Sequence, residues 1–241
     1  MKSIGFLLIS VLTAVQACSP KEYNHNYMWF DCEANYATLS HPDSIYYYMK
    51  KTQDLGFDNV VVDMKSIMGE VLYDSEIAPY MGDWEGVERS RDYDMLSYFI
   101  KYGKELDMRV FGSLNVFAGG HNFFDRGVIY GDKADWQSIC YEKGKLVPIS
   151  SIKTNYNGMM NPSIPEMQDY QIAILKEFIQ KYPEIDGLIF DRVRYDGITS
   201  DFSELSRKQF EEYAGVTVEN FPEDILSWYD EKGNLRDSWV P

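Results

Sequence analysis

Four short apolar runs, each closing on Asp or Asn, alternate along this chain with helical patterns, and that alternation narrows the fold more than any other feature. The runs are 27–31 (YMWFD), 59–63 (NVVVD), 109–114 (RVFGSL, then Asn115) and 187–190 (GLIF, then Asp191). Between them, apolar residues recur three and four apart. Over 43–56 these are Ile45, Tyr48, Met49, Thr52 and Leu55, with Pro42 and Gly56 as start and stop signals. Over 92–106 they are Met95, Leu96, Phe99, Ile100 and Tyr102, and further helices are predicted over 165–182 and 202–213. Strand, helix, strand, helix, with longer loops after strands than before them, predicts an α/β fold with a parallel sheet.

Parallel strands bring their carboxyl ends to one rim. Asp31, Asp63, Asn115 and Asp191 are therefore expected to converge there on a shared site. The loops at that rim, 32–41, 65–91 and 116–161, carry Trp84, Phe117, Phe123, Phe124, Tyr130 and Trp136, some of which should line it. The richest segment is 185–197 (IDGLIFDRVRYDG), where Arg192, Arg194, Tyr195 and Asp196 crowd behind Asp191. A carboxylate among guanidinium groups and a phenol suits binding or cleaving a polyhydroxylated ligand such as a sugar.

The amino terminus points to a compartment. Lys2, an apolar stretch over 4–15 and the exit Val15-Gln16-Ala17-Cys18 describe a secretory signal, and Cys after a small residue resembles the bacterial lipoprotein signal. Cleavage before Cys18 and lipidation of its thiol are expected, leaving a lipid-anchored protein of the cell envelope, periplasmic or on the outer-membrane surface. A plain signal peptide with an incidental Cys is the alternative. The net charge of −15 and the absence of a basic stripe argue against nucleic acid, and the nineteen Tyr suit a neutral saccharide. Cys32 and Cys140 show no repeated spacing and read as separate thiols, with a pair as the alternative. His25, His41 and His121 are scattered, so no metal or other cofactor is expected.

Several blocks, in order, resemble the glycosyl-hydrolase-like family ten, secreted bacterial TIM-barrel proteins distantly similar to the α-amylase clan. They are Leu55-Gly56-Phe57-Asp58-Asn59-Val60, Val71-Leu72-Tyr73-Asp74-Ser75, Asn115 after the third strand, Asn161-Pro162-Ser163-Ile164-Pro165-Glu166, and 185–191 (IDGLIFD). The resemblance covers about 27–196 and implies a parallel (β/α) barrel of TIM type acting on carbohydrate. Two departures stand out. Arg192 takes the place of the family's second Asp after the fourth strand, while Tyr195 matches a later Tyr. Asp63 and Lys65 stand where the family has Gln and Arg.

Glycoside hydrolysis uses two carboxyl groups, one as acid and one as nucleophile or base. The resemblance makes Asp191 the nucleophile candidate, with Arg192 or Arg194 holding its charge. Asp31, Asp63, Lys65, Asn115, Arg192, Arg194 and Tyr195 are expected to bind substrate. The acid partner is open: Asp63, Glu33 and Glu70 are the candidates. An eight-stranded barrel typically needs roughly 250 residues, so four βα units read as an incomplete barrel. The expected layout is a lipoprotein signal over 1–17, a tether over 18–26, and the amino-terminal part of a glycosidase-like barrel over 27–241, from a truncated gene product. Its open edges would allow self-association. Two functions remain: an extracellular glycoside hydrolase, or a non-catalytic glycan-binding lipoprotein that kept the rim and lost the acid.

Overall fold

The computed structural model describes residues 23–226. The signal, Cys18 and the first part of the tether lie outside the described residues. Four parallel strands form the central sheet: β1 (Tyr27–Phe30), β2 (Asn59–Lys65), β3 (Arg109–Asn115) and β4 (Gly187–Asp191), lying side by side in chain order. Tyr27 aligns with Asn59, Asn59 with Arg109, and Asp191 with Asn115. Among the described residues the sheet stays open, with β1 and β4 as its edges.

The four long helices are α1 (Pro42–Asp54), α2 (Met95–Glu105), α3 (Pro165–Lys181) and α4 (Glu204–Ala214), with single turns at Tyr36–Leu39 and Glu223–Leu226. Alternation along each strand decides what they cover. Phe30, Val60, Val62, Met64, Val110 and Leu114 face the helices and share one core with Ile45 and Met49 of α1, Leu96 and Phe99 of α2, and Ile174 and Phe178 of α3. Gly112 permits a close approach of α3, because a Cβ there would sit 2.6 Å from the Phe178 ring. The tyrosine and leucine expected on the inner face of α1, Tyr48 and Leu55, are instead exposed. Helix α2 begins at Met95, three residues after the start expected at Asp92, because the Asp94 side chain accepts the Ser97 N–H and caps it there. Helix α4 buries no residue, and Phe190 of β4 is left exposed.

The opposite face of the sheet carries Tyr27 and Trp29 of β1, Val61 and Asp63 of β2, Phe111 and Ser113 of β3, and Ile189 of β4. The loop over 116–161 is more ordered than its composition suggested. Ala118–His121 pairs with Asn157–Met159, and Ile139–Glu142 forms a hairpin with Lys145–Pro148. These pieces enclose a second apolar core of Ile67, Ile129, Cys140, Ile149, Met159 and Met167. Gly127 (φ +124°) closes it: a Cβ there would meet the carbonyl oxygens of Gly119 at 2.5 Å and Met68 at 2.6 Å. Cys32 and Cys140 are both buried free thiols. No helix among the described residues is long and apolar enough to cross a membrane.

Candidate active site at the carboxyl ends of the strands

Asp31, just past β1, Asp63, two residues before the end of β2, and Asn115 and Asp191, the last residues of β3 and β4, line one cavity of about 140 Å³. Trp29, Glu33, Tyr156 and Arg192 complete its polar and aromatic walls. Trp29 enters from β1 and Arg192 follows β4, so the two edges of the sheet flank the cavity.

Asp63 sits deepest of the acids. It is 5% exposed, and its Oδ1 accepts the Trp29 indole N–H at 2.9 Å. Burial pushes its carboxyl up to about 7; the Trp29 N–H and the Ser113 hydroxyl oppose that rise, while the charges of Asp31 and Asp191 add to it. Glu33 behaves alike. Burial raises it to about 7, against the Ile67 N–H that its Oε1 accepts at 3.1 Å, with Asp31 and Asp63 reinforcing the rise and Arg192 opposing it. Burial thus favours the protonated form of both carboxyl groups well above the usual carboxylate range. The remaining acids are tied to turns: Asp31 Oδ1 accepts the N–H groups of Glu33 and Ala34, and Asp191 Oδ1 accepts the Arg192 N–H at 2.7 Å. Burial, reinforced by the charges of Asp63, Glu33 and Asp31, drives the Cys32 thiol well above its usual range, so it is no nucleophile.

Arg192 is the hinge of this corner. Its backbone takes a left-handed conformation (φ 52°), which costs a non-glycine residue on the order of 1 kcal/mol. The strain aims its guanidinium across the cavity, where Nε donates to Asn115 Oδ1 at 2.9 Å and an Nη donates to the Tyr156 hydroxyl at 2.9 Å. The expected charge pairing of Asp191 is thereby corrected: the Arg192 side chain bonds Asn115 and Tyr156, and Arg194 donates to the carbonyls of Tyr195 and Asp196.

Other assignments move as well. Lys65 does not face the cavity. A bulge between Asp63 and Lys65 shifts the register and sends the side chain inward, fully buried, where its ammonium donates to the carbonyls of Asn115 (2.5 Å), Val116 (3.2 Å) and Ala118 (2.9 Å). Burial lowers it to about 7. It ties down the loop after β3. Arg194 is exposed away from the cavity, and Tyr195 lines a separate hollow with Phe202 and Phe210. Glu70 is held by Arg126, Nε to Oε1 at 2.9 Å and Nη2 to Oε2 at 2.7 Å, with Asp83 on the same guanidinium. That is a scaffold contact. None of the six loop aromatics named from the sequence lines the cavity; Trp29 and Tyr156 do. Trp29 was legible, since it lies two residues before Asp31 on the same strand face. Among the described residues no group of three or more His, Cys, Asp and Glu is placed to hold a metal ion.

A parallel βα sheet with acidic strand ends gathered in one cavity defines the class. The chain belongs to the glycosyl hydrolase-like 10 family, whose model matches residues 27–235. It is 29% identical over 222 residues to an S-layer-related protein of Niallia circulans, covering 87% of this chain but only 14% of that protein. In fold it is similar to α-L-fucosidase isoenzyme 2 from Paenibacillus thiaminolyticus, with a TM-score of 0.54 and 16% identity over 78% of this chain and 24% of the fucosidase. A hypothetical protein from Ruminiclostridium thermocellum overlaps 79% of this chain and 94% of its own, with a TM-score of 0.48 and 19% identity.

Proposed function

We propose that this chain is a glycoside hydrolase domain acting on poly- or oligosaccharide by a carboxylate mechanism, outside the cytoplasm and tethered by lipid at Cys18. One observation carries the reading: three aspartates from the carboxyl-end side of β1, β2 and β4, with Glu33, share one small cavity. In this reading Asp191 is the nucleophile or base, and Asp63 or Glu33, kept protonated by burial, is the acid that donates to the leaving oxygen. Arg192 and Asn115 fix the rim around Asp191, while Trp29 and Tyr156 offer ring faces to the sugar. The name of the Niallia relative, S-layer-related, fits a protein of the cell envelope. Further βα units would close the sheet into a TIM-type barrel, supplied by a longer chain or by a second copy across the free edges of β1 and β4.

The second reading, a glycan-binding lipoprotein without catalysis, is favoured by Arg192 itself, which stands where the resemblance expects an acid. Reducing ends released from a panel of polysaccharides separate the two. Hydrolysis by the wild type that falls about a thousandfold in Asp191→Asn supports the enzyme, in line with losing an essential catalytic group. Hydrolysis retained in Asp191→Asn rejects the assignment, and binding without hydrolysis selects the second reading.

A further inference from the structure

The rings of Phe123 and Phe124 are 58% and 57% exposed, although they directly follow the buried His121 and Asn122. They belong to a continuous aromatic group. The His121 ring centre lies 4.6 Å from Phe124 and 5.7 Å from Phe123, Phe123 lies 6.3 Å from Tyr156, and Trp84 backs Phe124 at 5.2 Å. Tyr156 belongs to two surfaces at once: its hydroxyl is held by Arg192, it lines the acid cavity, and its ring is 43% exposed. The aromatic surface thus starts in the cavity wall and runs outward from it.

The loop that presents these rings is pinned. Asn122 N–H donates to the Tyr156 carbonyl at 2.7 Å, the Asn122 amide donates to the carbonyls of Ile149 and Asn155 at 3.0 Å each, and the Tyr130 hydroxyl donates to Asn122 Oδ1 at 2.7 Å. A loop pinned in this way has less backbone freedom to lose on binding. His121, whose ring contacts both phenylalanines, has its Nδ1 buried without a hydrogen-bond partner. Size matters too. At about 140 Å³ the cavity is well under the roughly 300–1,000 Å³ that encloses a drug-sized ligand, and it takes one small ring rather than a chain.

We propose that Tyr156, Phe123 and Phe124 form a stacking platform for the further sugar units of a neutral glycan whose reacting ring occupies the acid cavity. The inference rests on the carbohydrate reading above and extends it to chain-length preference. Apolar ring faces beside a polar rim complement a sugar, which presents C–H faces and hydroxyl edges. A chain of net charge −15 disfavours a polyanionic glycan.

The test is affinity electrophoresis of the full chain in native gels containing a soluble β-glucan, an α-glucan, a mannan or a xylan. The wild type should be retarded by at least one of them. The double variant Phe123→Ala/Phe124→Ala should bind that glycan at least tenfold more weakly, while Phe123→Trp and Tyr213→Ala, an exposed ring on α4, stay within about threefold of the wild type. The platform is overturned if the double variant binds as the wild type does, if no glycan retards the wild type, or if removing the rings changes the oligomeric state in size-exclusion chromatography. Reducing-end release, measured alongside, keeps the two levels apart. Hydrolysis that depends on Asp191 with no effect of the double variant removes the platform and leaves the hydrolase, whereas neither hydrolysis nor retardation removes both.

Discussion

Replacing Asp63 by Asn should stabilise the protein at alkaline pH and do little in acid. The Asp63 carboxyl is buried against Trp29 and raised from 3.8 to about 7, so between about pH 4 and pH 7 the native state holds a proton that the unfolded state has lost. Stability then falls as pH climbs through that window, and the penalty is complete above the native value. Each pH unit of displacement corresponds to about 1.4 kcal/mol, so the full penalty is on the order of 4 kcal/mol. Asn cannot ionise, yet its carbonyl oxygen can still accept the Trp29 N–H. Urea denaturation followed by tryptophan fluorescence at pH 4.5, 6 and 8.5 reads the difference directly. At pH 8.5 the variant should exceed the wild type by about 2–4 kcal/mol, and at pH 4.5 the two should agree within about 1 kcal/mol. A difference that does not change with pH, or one that favours the wild type at pH 8.5, refutes the reasoning.

Lys65→Met leaves three carbonyls without their donor and should cost about 3 kcal/mol or more in chemical denaturation, with the loop after β3 gaining amide exchange. Gly112→Ala drives a methyl group into the Phe178 ring and should lower stability by roughly 1–3 kcal/mol; an unchanged midpoint would mean that α3 packs less closely on the sheet. Glu70→Gln removes a charge that Arg126 holds and should destabilise by about 1–3 kcal/mol while leaving reducing-end release within twofold, which separates its scaffold contact from the acid cavity.

The sheet was legible because its strands are short apolar runs between strong helical patterns, and all four appear within two residues of where those patterns place them. The gathering of Asp31, Asp63, Asn115 and Asp191 follows from parallel direction alone. What sequence could not convey was the bulge after Asp63, which turns Lys65 from the rim into the interior: alternation gives a residue's face only while the register is unbroken. Nor could it convey that the strained turn at Arg192 would spend its guanidinium on Asn115 and Tyr156. Two hairpins, Asp83–Trp84 with Val87–Glu88 and Ile139–Glu142 with Lys145–Pro148, went unread although their turns carry a signal. Glu85-Gly86 and Lys143-Gly144 both take positive φ, as two-residue hairpin loops require, but Glu and Lys are uncommon at the first of those positions. Tyr156 was beyond reach because it enters the cavity from the middle of a long insertion, through pairing between Ala118–His121 and Asn157–Met159 that no local pattern announces.

The most direct measurement needs no substrate: carbon-13 NMR titration of the side-chain carboxyl resonances of the folded chain between pH 3 and pH 9. Two resonances should move near pH 7, one missing from Asp63→Asn and the other from Glu33→Gln. If every carboxyl carbon has finished titrating by about pH 5, the cavity holds no proton to give to a departing sugar, and burial does not shape its chemistry.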